Sequence, residues 1–179
     1  MTASLATKAA TPIAEAQLIT DAQAGDTQAF KALYELHHKQ IYALCLRLCG
    51  DSAVAEEALQ DAFVRAWQKL PLFAGNSQFS TWLHKLSVNQ ALTTLKKHRS
   101  FWHRFLPIDE HIEPQVEQAH YENLDKLLLK LPERTRIVFV LFALEGYTHQ
   151  EIAELLDIAT GTSKAQYHRA KTLLQEQIL

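Results

Sequence analysis

Residues 148–171 read THQEIAELLDIATGTSKAQYHRAK, and this stretch decides the fold class. Thr148 followed by Glu151 is a capping box: hydroxyl and carboxylate satisfy each other's free amides at a helix start. Ile152, Ala153, Leu155 and Leu156 supply the buried side of that short helix, and small Ala153 suits a close helix crossing. After a tight turn, Thr162 is placed to cap a second helix reaching about Gln177. That helix shows Lys164, Gln166, His168, Arg169 and Lys171. The pattern reads as a helix-turn-helix. Glutamine pairs with adenine edges, lysine and arginine reach guanine or phosphate, and Thr162 can donate to a phosphate at the helix start. Two packed helices with a solvated basic face would carry the same residues.

Working outward, Leu124, Leu127, Leu128 and Leu131 form an apolar stripe that stops at Pro132. Pro132 fits the first turn of a helix running through Ile137, Val138, Val140, Leu141 and Leu144 to Gly146. From Asp109 to Asp125 there are six acidic residues and no Lys or Arg, which predicts an extended acidic linker that turns helical near Glu117. Upstream of it the sign reverses. Residues 62–108 hold no acidic residue but carry seven Lys/Arg and all three tryptophans. Cations neutralise phosphates and aromatic faces take unstacked bases, so this is either a nucleic-acid surface or a basic face over an aromatic core. Before and through it, periodicity predicts helices over Thr27–Cys49, closed by Gly50 and followed by Asp51 or Ser52 as the next cap, then to about Leu70 before Pro71, and over Phe79–Arg99. Met1 to roughly Pro12 reads as disordered.

Five Gly and five Pro in 179 residues point to an all-α protein, and a net charge of −2 excludes a globally cationic binder. Cys45 and Cys49 share a helical face with Ile41 and Leu48, which favours a core role and a reducing compartment. The Ala/Thr-rich N-terminal stretch has no apolar run, which argues against a signal peptide, and no segment is long enough to span a membrane. Nine histidines invite a metal, but His37 and His38 are adjacent and point to different sides of a helix. There is no HExxH, GxSxG or Walker loop, so neither catalysis nor a cofactor or metal is expected.

In the first half of the chain, Gly25-Asp26 with Ala29-Phe30, the run Ala55-Glu56-Glu57 through Gln60-Asp61-Ala62-Phe63 to Trp67, and Phe79-Ser80-Thr81-Trp82-Leu83 with Asn89 stand in a fixed order. In the second, Leu131-Pro132, Glu145-Gly146-Tyr147-Thr148, Glu151-Ile152-Ala153-Glu154, and Gly161-Thr162 with Lys164 and His168-Arg169-Ala170 do the same. In this order and spacing, from about Leu18 to Leu179, the chain resembles the extracytoplasmic-function group of bacterial RNA polymerase sigma factors.

The resemblance implies two small helical domains joined by a flexible acidic linker: a tail over residues 1–14, sigma domain 2 over 15–100, a linker over 101–122 and sigma domain 4 over 123–179. It implies a cytoplasmic protein that binds core RNA polymerase, through the clamp helices of the largest subunit and the flap, and directs initiation at chosen promoters. Promoter DNA and an anti-sigma factor are the further partners, and no small-molecule substrate is expected. Gln60, Asp61, Phe63 and Trp67 fall on the polymerase-docking helix, although Phe63 and Trp67, one turn apart, also suit the core. Asn76, Ser77, Gln78, Phe79 and Trp82 match the loop that captures a flipped base of the minus-ten element, and Lys85, Asn89, Lys96 and Arg99 the helix along the opening strand. Thr162, Lys164, Ala165, Gln166, His168, Arg169 and Lys171 match the minus-thirty-five helix. The acidic linker, Asp109 to Glu122, would thread the polymerase interior. A stand-alone helix-turn-helix regulator is the alternative; it leaves Phe73 to Trp82 without a job.

Some residues depart from the family pattern. Asp157 stands where the turn usually has glycine, a position that favours a left-handed backbone. Ser163 replaces a usual valine, removing an apolar anchor of the recognition helix, and Ala165 and Gln166 stand where serine and arginine are common.

Overall fold

A computed structural model describes residues 12–105 and 123–178; the N-terminal tail to Thr11 and the acidic linker lie outside the described residues. The fold is all-α. α1 (Pro12–Gln23), α2 (Thr27–Cys49), α3 (Ser52–Lys69) and α4 (Phe79–Phe105) form one bundle, with a 3₁₀ turn at Leu70–Leu72. α5 (Asn123–Leu129), α6 (Glu133–Phe139), α7 (His149–Leu156) and α8 (Thr160–Ile178) form a second, and α6 continues into a π-helical turn at Val140–Leu144.

The caps explain most boundaries. Asp26 accepts from the amides of Gln28 and Ala29 at 2.8 and 3.2 Å and opens α2. Gly50, at φ 73°, closes it, and Asp51 accepts from the Val54 amide at 2.9 Å to open α3. Three boundaries differ from the sequence expectation. α1 begins at Pro12, so residues 12–14 belong to a helix and not to a tail. The helix after Pro132 does not run to Gly146 as an α-helix: the amide of Glu145 reaches back to the Val140 carbonyl at 3.0 Å, a π-type bond. α8 begins at Thr160, with the Ser163 amide bonded to the Ala159 carbonyl at 3.1 Å, so Thr162 sits inside the first turn and is not its cap.

Ala55, Ala58, Ala62 and Ala66 are fully buried and give α3 a small-residue face, which lets it lie close against α2 and α4. Leu33, Ile41, Leu44, Leu48 and Leu83 fill the space between them. Cys45 and Cys49 are free and buried in this core; burial pushes the Cys45 thiol up to about 12 and the Cys49 thiol higher still.

Polar bridges cross between the two bundles. Arg136 of α6, only 4% exposed, donates from Nε to the Arg47 carbonyl at 2.9 Å, from Nη2 to the Leu48 carbonyl at 3.4 Å and from Nη1 to the Leu131 carbonyl at 3.2 Å. It thus satisfies carbonyls left over at the end of α2, where the helix dipole is negative. Gly50 is needed here twice, for its left-handed backbone and because a Cβ would overlap the guanidinium. Arg47 grips Asp125 through Nε at 2.6 Å and Nη2 at 3.3 Å, Arg99 pairs with Glu133 at 2.5 Å, and His84 meets Glu145 at 3.2 Å.

Candidate nucleic-acid interface

The loop between α3 and α4 stands on an aromatic base. Phe73 meets Phe79 edge-on at 5.9 Å and Trp82 at 5.1 Å, and Phe79 lies 5.5 Å from Trp82 and 5.4 Å from His37. Gln23 of α1 clamps the loop's entry, its amide donating to the carbonyls of Leu70 and Phe73 at 3.1 and 2.9 Å. On this base Gly75, at φ 73°, turns the chain and leaves Asn76, Ser77 and Gln78 exposed. Phe79 does not belong with them: at 5% exposure it is a pin of the core, because the first residue of α4 faces α2. Trp82 is half-buried on the same base.

Lys85, Asn89 and Lys96 follow along one exposed side of α4. Lys85 also borders an open cleft of about 340 Å³ shared with Glu145 and Tyr147. Arg99 departs from the expectation of a free cation, since its guanidinium is paired with Glu133 of α6. The neighbouring Lys97 and His98 both bind Glu57, at 2.7 and 2.6 Å, and the bonds from Lys97 and then His98 hold that carboxyl below its usual range. Lys96 is exposed, and among the described residues it has no ion pair.

On α3, Gln60 and Asp61 are exposed as expected. Phe63 is not: it is 5% exposed and edge-on to Tyr34 at 4.7 Å and Phe30 at 6.3 Å, because it continues the buried stripe of Leu59, Ala62 and Ala66. Trp67 is half-buried, edge-on to Phe30 at 5.0 Å. The apolar residue on the outer face is Val64, 57% exposed and one turn from Gln60. The sequence carries the signal for it, since 60, 61, 64 and 68 share a helical face.

At the other end, the capping box forms as expected. The Glu151 carboxylate accepts from the Thr148 amide and hydroxyl at 2.8 and 2.9 Å, and Thr148 Oγ1 accepts from the Glu151 amide at 3.2 Å. Asp157 adopts the left-handed backbone that its position demands, at φ 54° and ψ 53°. Thr162, Lys164, Ala165, His168, Arg169 and Lys171 of α8 are exposed, and Lys171 lies over the Tyr167 ring at 5.2 Å. Gln166 is a correction: it is half-buried and its carbonyl oxygen accepts from the Thr135 hydroxyl at 2.7 Å, so it faces α6. Ser163 is fully buried, and its Oγ lies 2.9 Å from His149 Nδ1. The expected loss of an apolar anchor is therefore met by a polar one, a partnership across 14 positions that no local pattern announces.

The arrangement offers a polar loop tip over stacked rings, a cationic helix side and a capped helix pair. Among the described residues no group of three or more His, Cys, Asp or Glu is placed to hold a metal, and no helix is long and apolar enough to cross a membrane.

The chain is similar to known proteins over both bundles. Residues 33–101 match the family described as Sigma-70 region 2, and residues 121–174 match Sigma-70, region 4. The chain is 30% identical over 163 residues to the ECF RNA polymerase sigma factor SigM of Mycobacterium tuberculosis (strain ATCC 25618 / H37Rv), covering 89% of this chain and 82% of that one. It is 28% identical over 180 residues to the ECF RNA polymerase sigma factor SigW of Bacillus subtilis (strain 168), covering 89% and 94%. In fold it is similar to the sigma factor RpoE solved in complex with the anti-sigma factor NepR from Bartonella quintana, with a TM-score of 0.56 at 23% identity over 85% of this chain and 98% of that one. It is also similar to CnrH, solved in complex with the cytosolic domain of CnrY, with a TM-score of 0.51 at 23% identity over 92% and 96%.

Proposed function

The chain belongs to the extracytoplasmic-function group of RNA polymerase sigma factors, and from that membership we propose how its surfaces divide the work. It binds core RNA polymerase and directs promoter-specific transcription initiation. Residues from α1 to about 100 act as sigma domain 2, residues 101–122 as the linker and residues 123–179 as sigma domain 4.

On this reading the outer face of α3 docks on the polymerase clamp, with Gln60, Asp61 and Val64 as contacts and Trp67 contributing its exposed edge. Phe63 supports that face from within. Asn76, Ser77 and Gln78 read a flipped base of the minus-ten element, Trp82 offers a ring to stack on, and Lys85, Asn89 and Lys96 follow the strand. Arg99 joins them when its pair with Glu133 opens. Unstacking costs a few kcal/mol per step and aromatic stacking returns about 1–3 kcal/mol per base, so stacking offsets much of the cost, phosphate contacts add to it, and no catalytic step is assigned. Thr162, Lys164, Ala165, His168, Arg169 and Lys171 face the major groove at the minus-thirty-five element. The protein works in the cytoplasm, and an anti-sigma factor holds it inactive, a reading supported by the anti-sigma factor solved with RpoE.

The single observation that carries this reading is the pairing, in one chain, of an exposed polar tip on an aromatic base with a capped helix-turn-helix. Transcription by core polymerase plus this protein on a randomised promoter library tests it. Two enriched elements at a fixed spacing are expected. Failure to associate with core polymerase, or transcripts without sequence preference, would sink it.

A further inference from the structure

We propose that His149 and Ser163 form a positioning pair that sets the rotational phase of α8, and with it the base preference at the upstream promoter element; this rests on the reading of α8 as the upstream-element helix. Ser163 lies in the first turn of α8, is fully buried, and places Oγ 2.9 Å from His149 Nδ1. The imidazole is held from every direction that matters. Its backbone follows Thr148 directly, inside the capping box. Its ring lies nearly parallel to Phe142, with centroids 4.1 Å apart and planes at 12°. Tyr167 of α8 closes in at 5.8 Å and itself touches Phe142 at 4.6 Å. The ring cannot swing without moving two aromatic neighbours, so the bond ties the π-helical turn, the start of α7 and the start of α8 together.

Phase matters because the outward residues are fixed relative to the inward one. At about 100° per residue, an inward Ser163 puts Thr162 and Lys164 on its flanks and Ala165 on the far side, and all three are exposed. A side-chain tip roughly 6 Å from the helix axis moves by about 1.5 Å when the helix rolls by about 15°. Recognition geometry tolerates only about 0.5 Å. An apolar contact slides under such a roll, whereas a hydrogen bond weakens steeply once its angle falls. The pair therefore gives α8 a directional stop. Thr135–Gln166 at 2.7 Å is a second polar tie further along the helix, but the Gln166 side chain is longer and more compliant.

The test uses holoenzymes carrying wild-type protein, His149→Ala, Ser163→Ala, the double variant, His149→Asn and Ser163→Thr. Each is checked by thermal unfolding and by affinity for core polymerase, then presented with a duplex library randomised across both promoter elements. Wild type is expected to enrich a definite upstream element. His149→Ala and Ser163→Ala should each lower that enrichment about tenfold and shift the preferred bases, the double variant should be no worse, and downstream preference and core affinity should stay put. His149→Asn and Ser163→Thr, which keep a bonding atom, should recover most of it. If both alanine variants keep the wild-type upstream preference, or the double variant loses the product of the two single effects, the positioning role is overturned. A pair that is merely structural would lower the melting temperature and leave base preference alone. Ser163→Ala, which removes one oxygen, keeps the question open to measurement if His149→Ala does not fold. If wild type itself enriches no upstream element, it is the assignment of α8 that fails.

Discussion

The two candidate DNA-facing surfaces are supported by different balances of apolar packing and side-chain hydrogen bonds. Beneath the loop tip at Asn76–Gln78 lie Phe73, Phe79, Trp82 and the leucines of the first bundle, an apolar foundation to which Gln23 adds two hydrogen bonds at the loop's entry. Beneath α8 the rings of Phe139, Phe142 and Tyr167 pack together, and two side-chain hydrogen bonds are added to them, Ser163 to His149 and Gln166 to Thr135. Apolar burial is strong and tolerant of small shifts; buried hydrogen bonds add less net stability but fix direction. The first surface has to hold its place while a base is pulled out of the duplex. The second has to present side chains at a set angle. Each has the kind of support its task asks for.

The largest effect expected from breaking the apolar side is Phe79→Ala. Removing a buried ring and leaving a cavity costs about 3–5 kcal/mol. Urea unfolding should show that loss, and the loop tip should lose amide protection before the rest of the first bundle does. A cost near 1 kcal/mol would mean that the aromatic base is not what holds the loop.

On the polar side the largest effect belongs to Arg136. Its replacement by alanine leaves the carbonyls of Arg47 and Leu48 without their donor in a buried place, at about 1–3 kcal/mol each. The two bundles should part more readily than the first one unfolds, so small-angle scattering should show a larger radius of gyration at full helix content. Gly50→Ala should do the same from the opposite side, because its methyl group would collide with the guanidinium in a strained left-handed backbone. A compact Arg136→Ala protein would show that the seam is held by its apolar contacts.

The same contrast governs what could be read from the residues alone. The helix ends at Gly50, Asp51 and Thr148 are legible because each acts within a turn of where it stands, and α4 is legible from its apolar spacing. The left-handed Asp157 was legible for the same reason. What escaped was set at long range. α1 lacks a strong local signal and is fixed by Gln23 reaching carbonyls 47 and 50 positions away. Phe79 looks like a ligand for a base by residue type, and packing against His37 turns it inward; Phe63 suits either face by spacing, and packing against Phe30 and Tyr34 decides for the core. Arg99 reads as a cation for the opening strand until Glu133 of the other bundle comes into view, and no local pattern marks Arg136. Local chemistry announces caps; it does not announce which face of a helix another helix will cover.

A smaller effect separates the partly solvated pairs of the seam from its buried arginine. Arg47–Asp125 and Arg99–Glu133 are partly solvated, and pairs of that kind contribute about 0.2–1 kcal/mol each and are screened by salt. Asp125→Asn should therefore expand the protein slightly at low salt and have no further effect at about 1 M salt, where the Debye length is about 3 Å. Arg136→Ala should expand it at both. Equal salt sensitivity in the two variants would erase the distinction between solvated and buried bridges.

The smallest effect concerns the capping box and depends on pH. The Thr148 amide and then its hydroxyl, both donating to Glu151, hold this carboxyl below its ordinary value of 4.5. A depressed folded-state value means that the unfolded chain takes up the proton first. The cap's contribution is thus complete above about 4.5, the unfolded value, and is lost as pH falls through the lower folded value. Glu57, held down by Lys97 and His98, titrates in the same direction, so a global melting curve would mix the two. Amide exchange at the first turn of α7 keeps them apart. Protection there should fall on acidification in the wild type and be lower and flat in Glu151→Gln, whereas Glu57→Gln should leave the α7 profile unchanged. An α7 profile that follows Glu57 would mean that the helix-turn-helix takes its acid sensitivity from the first bundle and not from its own cap.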